Sequence, residues 1–396
     1  MSRPDRPRRR WRIPAIGCGG LLLVGLLVLG AGLWLKHRAQ DVPDSFPRPE
    51  PSLDRGRAPW PPRFGVNAGT IAESPDAAFR RGHFQAIARA GLGWVRIGIT
   101  WPRIQPKEDG PFDWSSLDGP IAEAADAGLD VEGVIQFTPK WASTVPFSDR
   151  ALAKDPADTD RFVTALVRRY GPKGEFWRTH PAARRRPVRT WEIWNEENAQ
   201  YFFAPKSGKT YAYQAVLVGR AVRAVDPQAR LLLGGLVGTF ESRSDVIPPD
   251  EFLADALRAQ PSLPRLLDGV ALHVYGDAAN VGTVTCRVRT VMDRLGLRRQ
   301  VIALDEFGAP RKGAGALDEQ ARSAILSGVV DGFSRPAACG GENPRVRLIA
   351  PYTWWTKEAD PGNREDWFGL VDIHARPYPA GRTYLQAVRN VTRAGR

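Results

Sequence analysis

The sequence is poor in the residues that most often bind metals or build disulfide scaffolds. Its 396 residues include only 3 Cys and 5 His. Three cysteines are too few for a disulfide framework, and the scattered histidines show neither an HExxH motif nor paired-cysteine spacing. Glycine-rich phosphate loops are also missing, because the first predicted strand continues as FGVNAGTIAESP and matches neither GxGxxG nor GxxxxGK[ST]. We therefore expect no metal and no cofactor, and nucleotide binding is disfavoured.

Positive charge is concentrated at the N-terminus. The formal net charge is +13, and the first 40 residues contain eight basic residues and one acid, so +7 of it lies there. Nucleic acid is therefore not expected as a partner, because the remaining residues carry no dense basic patch. A hydrophobic content of 43% with 13 Trp supplies a core for one large domain or two ordinary ones.

An uncharged apolar segment covers residues 13 to 35. About 20 such residues cross a bilayer as a helix. Six arginines precede the segment and few basic residues follow it, which predicts a cytoplasmic N-terminus. We interpret 1–12 as a cytoplasmic basic segment and 13–35 as a single transmembrane signal anchor. A cleaved signal peptide is the alternative, but its apolar region is usually about 7 to 15 residues long and ends at a small-x-small site, whereas this one ends in LWLKHR.

A proline-rich linker is predicted over residues 36–62, with seven prolines between residues 40 and 62. Such composition is typical of a semi-rigid stalk. The folded domain, 63–396, is then expected outside the cell and tethered to the cell membrane. Cys286 and Cys339 are the two cysteines of this domain, and an oxidising exterior permits a bond between them. Their spacing does not show whether they are close in space.

Short apolar runs alternate with amphipathic stretches through eight rounds. The strand candidates are 63–67, 93–99, 131–137, 188–195, 230–236, 269–275, 300–307 and 346–355. Each is followed by a helical pattern. Ser74, Pro75 and Asp76 predict the start of the first helix, as its N-cap, a first-turn proline and an acid that compensates the helix dipole. Eight such units over about 330 residues predict a (β/α)8 TIM barrel of the α/β class, and a doubly wound open sheet is the alternative.

Two glutamates occupy the ends of strands four and seven. In a TIM barrel the functional groups come from the C-terminal strand ends, where Glu196 and Glu306 are expected to meet in one mouth. Two carboxylates that flank a bond are the arrangement that glycoside hydrolysis requires. At a separation of about 5 to 5.5 Å the reaction retains configuration, and a wider pair leaves room for an attacking water.

The motifs around these glutamates resemble those of a known enzyme group. WEIWNEEN is similar to the WNE signature of glycoside hydrolase clan A, and ALDEFG resembles the nucleophile strand of that clan, often written TEFG. The similarity extends from Phe64 to about Val388 and is closest to the β-xylosidase/α-L-iduronidase-like and cellulase-like families. The resemblance implies Glu196 as the general acid/base and Glu306 as the nucleophile.

Five further roles are implied by the same resemblance. Asn195 is expected to bond the sugar 2-hydroxyl, and Arg96 and Tyr275 to lie against Glu306 and keep it ionised. His273 is expected to bond a sugar hydroxyl or the acid/base region. Trp354 is expected to form the floor under the sugar ring.

Two residues depart from the clan pattern. Glu197 replaces a common proline, and Asp305 replaces the usual threonine or serine before the nucleophile. Extra carboxylates at these positions are expected to raise the pKa values of their neighbours through like-charge repulsion.

The sequence thus predicts a retaining glycoside hydrolase that cleaves O-glycosidic bonds of an extracellular or cell-surface glycan. The alternatives are a non-catalytic polysaccharide-binding barrel of an export or assembly complex, and a transglycosylase. The sugar, the linkage, endo or exo action and the oligomeric state are not determined by the sequence, because specificity depends on the strand-to-helix loops.

Overall fold

The computed structural model describes residues 56 to 394, apart from residues 182, 242, 335 to 338 and 342. The predicted cytoplasmic segment, the membrane span 13–35 and most of the linker therefore lie outside the described residues. In the part of the chain that is described, no helix is both long enough and apolar enough to cross a bilayer.

Eight parallel strands follow one another around a single sheet in chain order. They are β1 Gly65–Asn67, β2 Trp94–Thr100, β3 Asp130–Gln136, β4 Thr190–Asn195, β5 Arg230–Val237, β6 Gly269–His273, β7 Val301–Glu306 and β8 Val346–Ile349. A parallel bridge between Phe64 and Ile349 joins the last strand to the start of the first, and the amide of Ile349 donates to the carbonyl of Arg63 at 2.9 Å. The predicted barrel is confirmed, and the open-sheet alternative is wrong because the two edges meet.

Eight helices of more than ten residues alternate with these strands in the described chain. They are α1 Ala77–Arg89, α2 Ser115–Asp126, α3 Pro156–Tyr170, α4 Gly208–Val225, α5 Pro249–Ala259, α6 Ala278–Arg294, α7 Glu319–Ser334 and α8 Pro379–Ala394. Single-turn helices occur at Gly69–Ala72, Trp101–Ile104, Phe176–Thr179 and Leu263–Leu266, with a 3-10 turn at Arg364–Trp367.

Local sequence explains where the helices begin. The N-cap of α1 is Asp76 rather than the predicted Ser74, so Pro75 lies before the helix and not in its first turn. The Asp76 carboxylate accepts from the amides of Ala78 and Phe79 at 2.8 and 3.1 Å. This satisfies two of the amides that a helix N-terminus leaves unpaired. Asp155 caps α3 and accepts from one amide, that of Ala157, at 2.9 Å; the first helical residue is Pro156.

The interior of the barrel is divided into an apolar lower layer and a charged upper layer. Trp94 fills the lower part, where Gly65 leaves room for its indole and the alanines and leucines of β5 to β8 surround it. Two residues further along β2, Arg96 lies in the upper layer together with carboxylates of β3, β4 and β7. Since side chains two residues apart point to the same face of a strand, this layer opens at the C-terminal end of the barrel.

A disulfide bond joins Cys286 in α6 to Cys339, which follows α7. The pairing that the sequence left open is therefore present in the structure. It ties α6 to the segment that follows α7.

Candidate active site

A cleft of about 1130 Å³ opens at the C-terminal ends of the strands. Six of the seven predicted site residues line it, namely Arg96, Asn195, Glu196, His273, Tyr275 and Glu306. Residues from several different strands or the loops after them thus meet in one place, although their sequence positions span more than 200 residues.

Three donors hold the carboxylate of Glu306 at the end of β7. Arg96 Nη1 donates to Oε1 at 2.8 Å, Asn67 Nδ2 donates to the same oxygen at 3.2 Å, and the hydroxyl of Tyr275 donates to Oε2 at 2.8 Å. Burial raises the pKa of Glu306, while the positive charge of Arg96 and the Tyr275 hydroxyl oppose that rise. These donors stabilise the ionised form that a nucleophile requires.

Arg96 also organises the strand that carries the second glutamate. Its Nε and Nη2 donate to the two oxygens of Glu192 at 2.7 and 2.8 Å, and Nη2 donates to Asn195 Oδ1 at 2.7 Å. The amide oxygen of Asn195 is therefore occupied, which leaves its NH₂ group as the donor available to a ligand in the cleft.

At the end of β4 the side chains no longer alternate between the two faces of the strand. Trp194 has φ of 75° and Glu196 has φ of 49°, in the left-handed region that non-glycine residues rarely adopt. As a result Asn195 and Glu196, which are consecutive, both line the cleft, whereas a regular strand would point one of them away. Trp194 instead packs outward against Phe203. Strain of this kind costs about 1 to 3 kcal/mol per residue and is concentrated at functional sites.

Glu196 is placed in an environment that suits a proton donor. Its Oε1 lies 2.9 Å from Nδ1 of His273, and the hydroxyl of Tyr201 also bonds to its carboxylate. Burial raises the pKa of Glu196 to about 7. A carboxyl group with this pKa exchanges protons readily near neutral pH, which matches the requirement for general acid/base catalysis.

The two cleft glutamates are close to each other. One oxygen of Glu196, one oxygen of Glu306 and a ring nitrogen of His273 all lie within 4.8 Å of one another. Nδ1 of His273 is 3.5 Å from Oε2 of Glu306 as well as 2.9 Å from Glu196. The imidazole therefore lies between the two carboxylates.

Further carboxylates lie beneath this pair. Asp305 Oδ2 is 3.3 Å from Arg96 Nε, and burial followed by the charge of Glu192 raises the pKa of Asp305 well above its usual value. Burial followed by the charge of Glu192 also raises the pKa of Glu132 to about 8. For Glu306 itself, burial is the largest cause of the raised pKa and Glu196 is the carboxylate that adds to it, so the expected effect of Asp305 on this neighbour stays a prediction.

The carboxylates and His273 also form two groups with metal-compatible spacing. The first group is Glu192, His273 and Asp305, and the second is Glu196, His273 and Glu306. Arg96 donates to Glu192 of the first group and to Glu306 of the second at 2.7 to 2.8 Å, so one carboxylate of each group is already paired with a cation. The donor set therefore gives no argument for a metal.

Trp354 does not line the cleft, which corrects the role that the resemblance implied. It is 1% exposed, and its indole Nε1 lies 3.1 Å from Nδ1 of His83 on α1. The prediction assumed one continuous strand over 346–355, but β8 ends at Ile349, ahead of Pro351, which has no amide hydrogen to extend the ladder. Tyr352 lines the cleft instead.

Other cleft residues were not identified from the sequence. Asn67 is the clearest case, because it is the last residue of β1 and the same search of strand ends would have found it. The aromatic side chains of Tyr201 and Phe202 also line the cleft, whereas the neighbouring Phe203 is buried in the core. Phe240 and Arg287 form part of another wall, where the guanidinium lies 3.7 Å from the ring centroid.

Comparison with known proteins gives structural but not sequence matches. Neither a protein-family model nor a curated protein matches the sequence. A family 39 glycoside hydrolase from the gut symbiont Bacteroides cellulosilyticus has a similar structure, with a TM-score of 0.63 and 17% identity over 83% of this chain and 63% of that one. This chain thus spans less than two thirds of that protein.

Two other solved structures are similar to a comparable degree. A monomeric β-xylosidase from Caulobacter crescentus has a TM-score of 0.59 and 18% identity, over 85% of this chain and 69% of that chain. The GH5_18 protein from Streptomyces cattleya, in complex with Manβ1-4GlcNAc, has a TM-score of 0.62 and 18% identity, over 83% of this chain and 80% of that chain. At these identities the similarity establishes a shared fold. The resemblance to clan A glycoside hydrolases is therefore confirmed at the level of the fold.

Proposed function

We propose that this protein is a retaining glycoside hydrolase that cleaves O-glycosidic bonds by double displacement. The observation that carries the proposal is the approach of a Glu196 oxygen and a Glu306 oxygen to within 4.8 Å in an open cleft. Retaining enzymes hold their two carboxyl groups about 5 to 5.5 Å apart, whereas inverting enzymes need about 6.5 to 9.5 Å to admit a water. The short separation favours the covalent route.

The contacts suggest how the reaction would proceed. Glu306, held ionised by Arg96, Asn67 and Tyr275, attacks the anomeric carbon while Glu196 donates its proton to the departing oxygen. This gives a glycosyl ester of Glu306. Glu196, now ionised, takes a proton from a water molecule that attacks the same carbon, and the sugar leaves with its original configuration.

A carbohydrate substrate fits the composition of the cleft. Its floor has donors and acceptors, among them the free NH₂ of Asn195, and aromatic side chains such as Tyr201, Phe202 and Tyr352 line its walls. The similar structures include proteins named as a glycoside hydrolase and a β-xylosidase, and one that contains a disaccharide. These features support a sugar ligand.

We further propose that the domain faces the outside of the cell and is attached to the cell membrane by the N-terminal segment. The uncharged residues 13 to 35 and the arginines before them support this orientation. The disulfide between Cys286 and Cys339 adds support, since such bonds persist in oxidising compartments. Protease treatment of intact cells should remove the domain, and the mass of the membrane-bound form should include the N-terminal segment.

The decisive experiment compares the wild-type domain from Asp41 onward with Glu306→Ala and Glu196→Ala on a panel of activated aryl glycosides and polysaccharides. Wild type should turn over at least one of them and Glu306→Ala should not. Azide should rescue Glu196→Ala and yield a glycosyl azide of retained configuration. Because Arg161 is an exposed residue of α3, Arg161→Ala is a matched control that should behave as wild type.

The alternatives predict different results. If wild type binds glycans but turns over none, and both glutamate variants still bind, the protein is a binding barrel. If the products are longer sugars rather than released monosaccharides, the covalent intermediate passes to a sugar and the protein is a transglycosylase. An inverted product would contradict the double-displacement proposal.

A further inference from the structure

His273 and Asp305 lie behind Glu196 with complementary unpaired groups. Nε2 of His273 is 3.5 Å from Oδ1 of Asp305. Among the described residues, neither of these two atoms has a hydrogen-bond partner. Both side chains are completely inaccessible to solvent. A small rotation would bring the two atoms to hydrogen-bond distance. Such a bond requires one proton, which either the ring or the carboxyl group must supply.

The charge balance around Arg96 decides which group supplies it. Arg96 is the cation of this layer, and its guanidinium donates hydrogen bonds to Glu192 and Glu306 at 2.7 to 2.8 Å. Asp305 reaches only Nε, at 3.3 Å, and Nε already donates to Glu192. A third ionised carboxylate with no donor of its own is expensive to bury, so Asp305 is expected to be neutral and to carry a proton.

We propose that neutral Asp305 donates its carboxyl proton to Nε2 of His273 and so holds the imidazole in the Nδ1–H tautomer, which then donates to Glu196. This assigns Asp305 a positioning role that acts through His273. The direction of the pKa shifts agrees, since burial raises the pKa of Asp305 and lowers that of His273 to about 4. At neutral pH the acid is then protonated and the ring is uncharged.

The consequence for Glu196 depends on the proposed glycosidase function. With the proton on Nδ1, the ring always donates to Oε1 of Glu196, whether Glu196 is ionised or not. The acid proton of Glu196 must then be on its other oxygen. The opposite tautomer would instead accept the proton of Glu196 on Nδ1 and keep it away from a substrate.

Other ionisable groups face this pair and set its charge environment. They come from five strands or the loops after them: Arg96, Glu132, Glu192, Glu196, Tyr275 and Glu306. Gly235 of β5 lies on the remaining side, where a Cβ atom would be only 2.0 Å from Nε2 of His273. Since glycine has no side chain, β5 offers Nε2 no alternative side-chain partner at this position.

The tautomer can be measured without any assay of activity. In ¹⁵N-labelled wild-type domain, a protonated and a bare ring nitrogen differ in chemical shift, and the His273 signals are assigned by their loss in His273→Asn. We expect a proton on Nδ1 and a bare Nε2 through pH 6 to 8. A proton on Nε2, with a bare Nδ1, would overturn the inference even if the protein proves to be a glycosidase.

Substitutions at Asp305 provide a second test. The amide NH₂ of Asp305→Asn can donate to Nε2 as the neutral acid does, so this variant should keep the Nδ1–H tautomer and the wild-type pH profile. Asp305→Leu has a similar size and no donor, so it should show mixed tautomers, a shifted alkaline limb and a kcat lower by about tenfold or more. Equal behaviour of the two variants in both NMR and pH profile would count against the inference. If wild type has no hydrolytic activity, the NMR comparison still decides it.

Discussion

Glu192 holds Arg96 at two points: Nε and Nη2 of the guanidinium donate to its two carboxylate oxygens at 2.7 and 2.8 Å. Both side chains are buried. This buried pair orients the arginine so that Nη1 remains directed at Glu306. Glu192 therefore has a structural role in the placement of the proposed nucleophile, although it does not itself border the cleft.

Removal of Glu192 should be costly to stability. In Glu192→Ala the guanidinium loses its main partner while it stays buried, and breaking such a pair typically costs about 3 to 5 kcal/mol. Chemical denaturation measures the change in the free energy of unfolding. Arg161→Ala breaks the exposed pair with Asp158 and should change it by less than about 1 kcal/mol. A loss in Glu192→Ala no larger than in this control would contradict the structural role.

The pH dependence of turnover should follow Glu196. Its pKa of about 7 means that the protonated form needed in the first step is lost as the pH rises through that value. We therefore expect kcat/KM to fall on the alkaline side of about pH 7. Because the Tyr201 hydroxyl lowers this pKa, Tyr201→Phe should move the alkaline limb to higher pH. The control is Tyr378→Phe, which removes a hydroxyl bonded to Glu358 outside the cleft and should not shift the alkaline limb.

Glu132 should make the folded state less stable at high pH. Burial raises its pKa from 4.5 to about 8, so between these values the folded state binds a proton that the unfolded state has released. The resulting stabilisation is complete below pH 4.5 and is lost as the pH rises through about 8. The free energy of unfolding of Glu132→Gln should fall less than that of wild type between about pH 5 and pH 9. Parallel curves for the two proteins would contradict the assignment.

Gly235 should be intolerant of a side chain. A Cβ atom there would lie 2.0 Å from Nε2 of His273, so Gly235→Ala must displace the ring that contacts Glu196. We expect loss of most activity and a destabilisation of about 1 to 3 kcal/mol. Gly282 on α6 is the matched control, since its Cβ would meet nothing within 4 Å, and Gly282→Ala should be neutral or slightly stabilising. Full activity in Gly235→Ala would show that the ring position is not required.

Reduction of the disulfide should lower stability without direct damage to the cleft chemistry. The bond between Cys286 and Cys339 closes a segment with a sequence separation of 53, for which loop entropy gives about 4 kcal/mol. Thermal unfolding of the domain with and without reductant measures the effect. The double variant Cys286→Ser/Cys339→Ser should unfold like the reduced wild type and should no longer respond to reductant.

Much of the fold could be predicted from the sequence because it depends on local patterns. The apolar runs gave all eight strands, with ends that mostly differ by one or two residues from those in the structure. The start of α1 is less well predicted, because Ser74 reads as the N-cap whereas Asp76 caps the helix two residues later. Glu196 and Glu306 could be proposed as a pair because strand order alone brings the ends of β4 and β7 to one face of a barrel.

The remaining features depend on contacts between residues that are distant in the chain. Whether Trp354 or Tyr352 borders the cleft depends on where β8 ends, and a count of alternating faces fails once the strand stops early. The same limitation applies at β4, where the positive φ of Trp194 and Glu196 sends two consecutive side chains into the cleft.

By itself, then, the sequence determined the order of strands and helices and the two carboxylates at the strand ends, since both follow from local periodicity and fixed barrel geometry. Only the tertiary structure decided the partners of those carboxylates. The bond from Arg96 to Glu306 and the position of His273 between the two glutamates depend on contacts between strands far apart in the chain. The disulfide from Cys286 likewise depends on how two outer segments pack, which their spacing in the sequence does not show. The pKa of Glu196 is likewise a tertiary property, because burial is its largest cause and burial exists only once the strands have closed around it.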